Sequence, residues 1–326
     1  MDGRFKSRVR GCIVGVAVGD ALGAPVEFLS AEETVERYGP SGIAGFKPWG
    51  RYPAGTYTDD TQMTIATAEG VVRSLLEGVD TASAIWEEYL RWRRTQDDPA
   101  QQRAPGGTCL AALRDGEPGE VDAPINDSKG CGGVMRVAPV GLAFGPGWAF
   151  EIGVASAALT HGNPSGYLAA GFLAEVISRL VRGTASLYRA IADARDELVG
   201  WDGNDEVLDA VDTAVELAMM GPGTQIDVAT LGEGWVAEEA LAISLACALA
   251  YPEDWPAAVL LAVNHGGDSD STGAITGALL GAGLGMDAIP YAWSQGVENG
   301  AALVELADRL TDVVSRDASY DWLEDL

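Results

Sequence analysis

Two short stretches of this 326-residue chain carry side chains suited to hold hard cations. The first is Tyr57-Thr58-Asp59-Asp60-Thr61-Gln62-Met63, where adjacent carboxylates follow a threonine and open a strongly helical segment. The second is Asn264-His265-Gly266-Gly267-Asp268-Ser269-Asp270-Ser271-Thr272-Gly273, a D-x-D with hydroxyls where another helix begins. Taken singly, each reads as helix capping, with Thr or Asp accepting first-turn N–H groups and acids facing the positive end of the helix dipole. Asp268, Asp270, Thr272 and Gly273 also fit the first, third, fifth and sixth positions of a calcium EF-hand loop, whose twelfth must be a bidentate Glu. Here the twelfth is Leu279, in an apolar helix, so the EF-hand fails. Together the clusters say more. Four aspartates brought to one point would repel one another unless cations stood between them, and oxygen-only donors suit Mg²⁺ or Mn²⁺. Two such ions about 3.5–4 Å apart could bridge the carboxylates, orient a substrate's oxygens and activate a water. Spacing alone does not bring the clusters together; their convergence is an expectation for the structure to meet.

Three further stretches bear on the same chemistry. Gly19-Asp20-Ala21-Leu22-Gly23-Ala24-Pro25-Val26-Glu27-Phe28 places Asp20 in an otherwise apolar helix and Glu27 after a turn, and on their own both acids read as surface residues. Gly130-Cys131-Gly132-Gly133-Val134-Met135-Arg136 is a glycine-rich turn into a helix, which can present N–H groups to a pyrophosphate. It matches neither G-x-x-x-x-G-K-[ST] nor G-x-G-x-x-G. Thr160-His161-Gly162-Asn163 puts a histidine just past an apolar helix, where a helix C-terminal role is the commoner one.

The elements that must position these residues are helical nearly throughout. Apolar residues recur at three- and four-residue spacing over residues 7–22, 59–77, 82–94, 108–114, 148–159, 165–181, 186–199, 205–220, 236–250, 255–263, 269–284 and 301–315. No stretch alternates as a strand bounded by turn pairs would, so the fold class expected is all-α. Gly273, Gly277, Gly281 and Gly285 recur every four residues, a smooth stripe that lets another backbone approach a buried helix beneath the site. The connections over residues 42–58 and 116–133 exceed typical helix linkers, and 221–234 is another glycine-bearing connection; long loops inside a compact domain tend to be functional. Length alone suggests two domains. No linker divides the chain, however, and motifs at both ends make sense only if they meet, so one domain over residues 1–326 is expected.

Composition narrows the function classes. With 47% hydrophobic and 21% charged residues the chain is an ordinary globular protein, but 21 basic against 48 acidic side chains leave a net charge of −27. Such a surface repels phosphate backbones and anionic membranes, so direct nucleic-acid binding is not expected. A small phosphate-bearing ligand is not excluded, because metals or backbone N–H groups can offset its charge locally. Cys12, Cys109, Cys131 and Cys247 form no C-x-x-C pair and read as small buried hydrophobes. With only His161 and His265 beside them, a zinc site of thiolates and imidazoles is not expected. Arg4, Lys6, Arg8 and Arg10 precede an apolar run from Cys12 to Val18, as in a signal peptide, but Asp20 interrupts it early. No run approaches the roughly 20 apolar residues of a membrane span. A reducing, cytoplasmic setting and a monomer are expected.

In order along the chain, G-D-A-L-G-A-P-V-E-F (19–28), T-D-D-T-Q-M (58–63), G-G-V-M-R-V-A-P (132–139), T-H-G (160–162) and G-G-D-S-D-S-T-G (266–273) resemble the motifs of the ADP-ribosylglycohydrolase family. The resemblance implies a compact all-α orthogonal helix bundle holding two Mg²⁺ or Mn²⁺ ions. Matched position by position, the metal ligands would be Thr58, Asp59, Asp60, Asp268, Asp270 and Ser271, the last commonly threonine in the family. Glu27 matches an acidic residue on a mobile loop near the metals. Gly132, Gly133 and Met135 match the turn beside the diphosphate, and His161 and Gly106 match residues of the ADP-ribose cleft. Cys131 departs from the asparagine common before the paired glycines, which puts a detail of the phosphate loop in question.

The implied reaction removes ADP-ribose from a modified protein or small molecule, with an arginine or serine linkage the first candidates. The glycosidic carbon passes through an oxocarbenium-like state, so a positioned water and a proton for the leaving group are needed. Asp59, Asp60, Asp268 or Glu27 could serve as general base. Two other readings compete: an ADP-ribose-binding protein without catalysis, and a two-metal hydrolase that cuts the pyrophosphate.

Overall fold

The apolar run that begins at Cys12 lies at the centre of the molecule. Every residue from Gly11 to Gly23 is buried, so the helix that carries them has no polar face and must be surrounded on all sides. The computed structural model describes residues 3–219 and 226–316. Among them are fifteen α-helices, three short 3₁₀ turns and no strand. In chain order the helices are α1 Gly3–Gly23, α2 Ala31–Tyr38, α3 Asp59–Glu77, α4 Thr81–Thr95 and α5 Gly107–Asp115. Then come α6 Ala138–Ala143, α7 Trp148–Ala158, α8 Pro164–Arg182, α9 Leu187–Leu198 and α10 Asp205–Ala218. The last five are α11 Ala237–Ala250, α12 Trp255–Ala262, α13 Ser269–Leu284, α14 Tyr291–Gly296 and α15 Gly300–Arg316.

The all-α expectation is met, and twelve of these helices fall where the periodicity places them. The other three are α2, which buries only Thr34 and so shows no apolar face, and α6 and α14, at six residues each too short to establish a period. One of them carried a local signal nonetheless: Ser30 and Glu33 form a reciprocal capping box at the start of α2. α10 ends at Ala218. Met220, expected as its last residue, and residues 221–225 of the following connection lie outside the described residues.

α1 and α13 pack more intimately than any other pair of helices. The glycine stripe of α13 is the reason, and α1 answers it with glycines of its own at positions 11, 15, 19 and 23. A Cβ on Gly19 would lie 2.0 Å from the Gly273 carbonyl oxygen, and one on Gly277 would lie 2.2 Å from that of Gly15. No rotamer relieves such an overlap, because the atom met is backbone. Around this axis α11 and α12 pack against α13, and α15 packs against α1. A continuous apolar core runs from Phe5 to Val314. Among the described residues no helix is long and apolar enough to cross a membrane.

Candidate functional site

The tight α1–α13 crossing sets three helix ends side by side: the last turn of α1 and the first turns of α3 and α13. From α1, Asp20 is fully buried and points at the start of α3. One carboxylate oxygen accepts the Thr58 N–H at 2.8 Å; the other accepts the Thr61 N–H at 3.0 Å and the Thr61 hydroxyl at 2.5 Å. Thr58 then caps α3 through its own hydroxyl, which accepts the Asp60 N–H. The acid that reads as a surface residue is therefore an interior anchor for the first acidic cluster.

The second cluster sits directly opposite. The Asp268 N–H donates to the Glu233 carbonyl at 2.7 Å, and the Ser271 N–H donates to the Asp270 carboxylate at 3.0 Å. Asp268 and Asp270 stand close enough to shift each other's protonation, and the Thr58 side chain stands beside Asp270. Asp59, Asp60, Asp268, Asp270 and Ser271 line one cavity of about 210 Å³, with Glu27 in its wall. The expected convergence is present. Thr58 stands just behind this wall, with none of its surface exposed.

Six buried carboxyls so close together cannot all carry charge without help. Burial, first of all, and then the repulsion of Asp270 push Asp20 up to about 7. Burial followed by the charges of Asp270, Asp268, Asp59 and Asp20 pushes Glu27 up to about 11. Asp59, Asp60 and Asp268 rise well above the usual carboxylate range, chiefly through burial, and Asp270 rises for the same reason. The first turns of α3 and α13 both face the cluster, so two helix dipoles offset part of the charge.

Does this arrangement fit divalent cations? The Asp60 Oδ2 atom is buried without any hydrogen-bond partner, an expensive omission unless something positive stands there. Every candidate donor is oxygen, as hard cations require. Among the described residues no three His, Cys, Asp or Glu side chains stand as a ready-made cage. On these donors and this orphaned atom, the residues fit the ions.

Beyond the carboxylates the cavity wall is made by Gly130, Cys131 and Gly132, with Met135 and His161. A Cβ on Gly132 would lie 2.9 Å from His161 Cε1 and from Cys109 Sγ, so only glycine lets the turn close here. Gly133 packs away from the cavity, where a Cβ would strike that of Ala157 at 2.9 Å. His161 is buried, and burial, aided by the Arg136 charge, pulls it down to about 3. It is therefore neutral. Arg136 donates to the Thr160 hydroxyl at 2.6 Å, and that hydroxyl meets His161 Nδ1 at 2.8 Å. The hydroxyl thus links the Arg136 guanidinium to one ring nitrogen, and the other, Nε2, stands beside Gly130 and Gly132. Gly106 also lines the cavity, but its N–H is committed to Asp59 Oδ2 at 3.1 Å, which makes it a support for that carboxylate.

Several site residues gave no clear sign in the sequence. Cys131 is not the buried hydrophobe expected: it is half-buried in the cavity wall and its thiol donates to Asp268 Oδ2 at 2.8 Å. Trp235 lines the cavity and stacks on the exposed Phe28, with ring centroids 5.7 Å apart and planes 15° from parallel. Ala104, another lining residue, holds a positive φ of 55° that favours glycine. The paired tryptophan and phenylalanine carried no spacing signal. Asp20 carried one, since a lone acid in an apolar run is either exposed or engaged.

Comparison with known proteins places the whole chain among relatives. The sequence profile described as ADP-ribosylglycohydrolase matches residues 1–319. An ADP-ribosyl-[dinitrogen reductase] glycohydrolase from Rhodospirillum rubrum is 30% identical over 299 residues, covering 88% of each chain. ADP-ribosylhydrolase ARH3 of Mus musculus is 27% identical over 336 residues, covering 90% of this chain and 88% of its own. A solved structure titled ADP-ribosylglycohydrolase-related protein complex superposes with a TM-score of 0.72 at 28% identity, over 95% of this chain and 99% of that one.

Proposed function

We propose, from the premise that the chain belongs to the ADP-ribosylglycohydrolase family, that its cavity hydrolyses the glycosidic bond between ADP-ribose and a modified protein or small molecule. The observation that carries this reading is the meeting of both acidic helix starts on one cavity, with Asp60 Oδ2 left unpartnered. Two Mg²⁺ or Mn²⁺ ions held by Thr58, Asp59, Asp60, Asp268, Asp270 and Ser271 would supply positive charge for ribose oxygens and lower the pKa of a nearby water. The chain does the rest as one domain.

Asp20, through Thr58 and Thr61, fixes the register of Asp59 and Asp60 against Asp268 and Asp270. The Gly106 N–H turns Asp59 to face the cavity. Gly132 allows the distal phosphates to approach the backbone, and the His161 Nε2–H donates to them as a neutral group. Neutrality matters, because the donor orients the diphosphate without adding a cation that would compete for the carboxylates. Glu27, in the cavity wall and 8% exposed, is the carboxyl best placed to pass a proton between the reacting groups and solvent. Burial of the cluster excludes bulk water from the oxocarbenium-like state.

The test is release of intact ADP-ribose from arginine-linked and serine-linked peptides, with Mg²⁺, with chelator, and with Asp268→Ala. Cation-dependent release abolished by the substitution supports the reading, and the preferred peptide names the linkage. AMP and ribose phosphate as products would replace it with pyrophosphate hydrolysis. Tight ADP-ribose binding with no turnover on either linkage would replace it with a binding protein.

A further inference from the structure

The thiol of Cys131 lies among the oxygen donors of the carboxylate cluster. Its Sγ is 2.8 Å from Asp268 Oδ2 and 3.6 Å from Ser271 Oγ. The backbone fixes that placement: the Cys131 N–H donates to the Trp235 carbonyl at 3.1 Å, and its own carbonyl accepts from Val134 and Met135 at 2.9 and 3.1 Å. The same cavity wall holds Asp60, 97% buried, whose Oδ2 has no partner. The other cysteines are placed differently. Cys12 and Cys247 are wholly buried in the apolar core, and the Cys109 sulfur accepts an N–H from Arg136 at 3.2 Å.

A sulfur beside two candidate oxygen ligands changes which ion a centre prefers. Carboxylates and hydroxyls alone favour Mg²⁺, Ca²⁺ or Mn²⁺, whereas a thiolate binds Zn²⁺, Co²⁺ or Cd²⁺ more strongly and adds little for Mg²⁺. We propose that Cys131 is itself a cation ligand, which makes the centre a mixed oxygen–sulfur site that also accepts thiophilic divalent ions. On binding, the S–H bond breaks, its proton leaves to solvent, and the sulfur's electron pair forms the bond to the ion. The hydrogen bond from Cys131 to Asp268 is exchanged for an ion shared by the two. The inference rests on the proposed cation-binding role of the carboxylate cluster.

Cobalt makes the ligand visible, because thiolate bound to Co²⁺ absorbs in the near ultraviolet and carboxylate does not. The metal-free full chain is titrated with Co²⁺ while absorption and the melting temperature are recorded together, and Mg²⁺ is titrated in parallel. The expected result is a charge-transfer band that saturates with the rise in melting temperature. Cys131→Ser removes the band, keeps the melting response to Mg²⁺, and weakens Co²⁺ relative to Mg²⁺ by about tenfold or more. A Co²⁺-induced melting rise with no band, or a band that survives in Cys131→Ser, overturns the inference and leaves the thiol as a hydrogen-bond donor that orients Asp268; the cation-binding reading then stands. If neither ion moves the melting temperature of the unsubstituted chain, the cation-binding reading falls as well.

Discussion

At the start of α3, Thr58 caps its own helix and Asp20 accepts three further hydrogen bonds from that turn. At the start of α13 there is no side-chain cap, and Asp268 instead meets the Cys131 thiol and the neighbouring Asp270. Both starts carry two aspartates and a hydroxyl. The first is a frame built by the protein, with one oxygen, Asp60 Oδ2, left open. At the second, the Cys131 thiol donates to Asp268, a hydrogen bond that the proposed cation would replace. On the proposed cation-binding reading, one half of the site is prearranged and the other completes itself on binding. Carboxyls at both starts are held well above the usual range, so protons let the six coexist in the free protein.

The comparison can be broken at its two ends. Asp60→Asn and Asp268→Ala should each lower the rate of ADP-ribose release by about three orders of magnitude, or about 4 kcal/mol of transition-state stabilisation. Equal losses, no worse in the double variant, are expected if the two starts act as one unit. A large loss in one alone would place the chemistry on a single helix.

Next in size is the crossing that brings the two starts together. Gly19→Ala drives a methyl into the Gly273 carbonyl and should destabilise the protein by about 3 kcal/mol, read by urea unfolding. If the protein tolerates it with full activity, α1 is not what sets the two starts in register.

Asp20→Ala sharpens the contrast between frame and loose half. It leaves the Thr58 and Thr61 N–H groups buried without acceptors and should cost about 2 kcal/mol, with a fall in kcat. Cys131→Ser, on the loose half, should change stability by less than about 1 kcal/mol.

A further effect is in pH. Glu27 keeps its proton up to about 11 in the folded, cation-free protein, far above its ordinary value, so folding takes up a proton above the unfolded pKa. Stability of the cation-free protein therefore falls as pH rises through the window between the two values, and melting from about pH 7 to about pH 9 should show it. Glu27→Gln should flatten the slope, as should saturating Mg²⁺, because cations replace the protons.

Much of this was legible in the sequence, and the pattern of what was not has physical reasons. The two acidic helix starts stand out because Thr-Asp-Asp-Thr and Asp-Ser-Asp-Ser concentrate donors that capping alone does not need. The glycine stripe of α13 announced a close helix contact, although its partner stripe on α1 was hidden in an apolar run that had an evident meaning already. Asp20 was ambiguous because one charge in an apolar helix is equally at home on a surface or beneath a capped turn; only the position of α3 decides. Cys131 was read as a buried hydrophobe because a thiol takes its chemistry from its neighbours, and Asp268 is 137 residues away. α6 and α14 are too short for periodicity to speak, and α2 buries no apolar side chain that would show one.

The most direct test of the central claim is anomalous diffraction from crystals of the protein grown with Mn²⁺. The account expects Mn²⁺ peaks in the cavity within about 2.0–2.6 Å of carboxylate oxygens from both Asp59 or Asp60 and Asp268 or Asp270. No peak in the cavity, or a peak bound by one helix start alone, would contradict it.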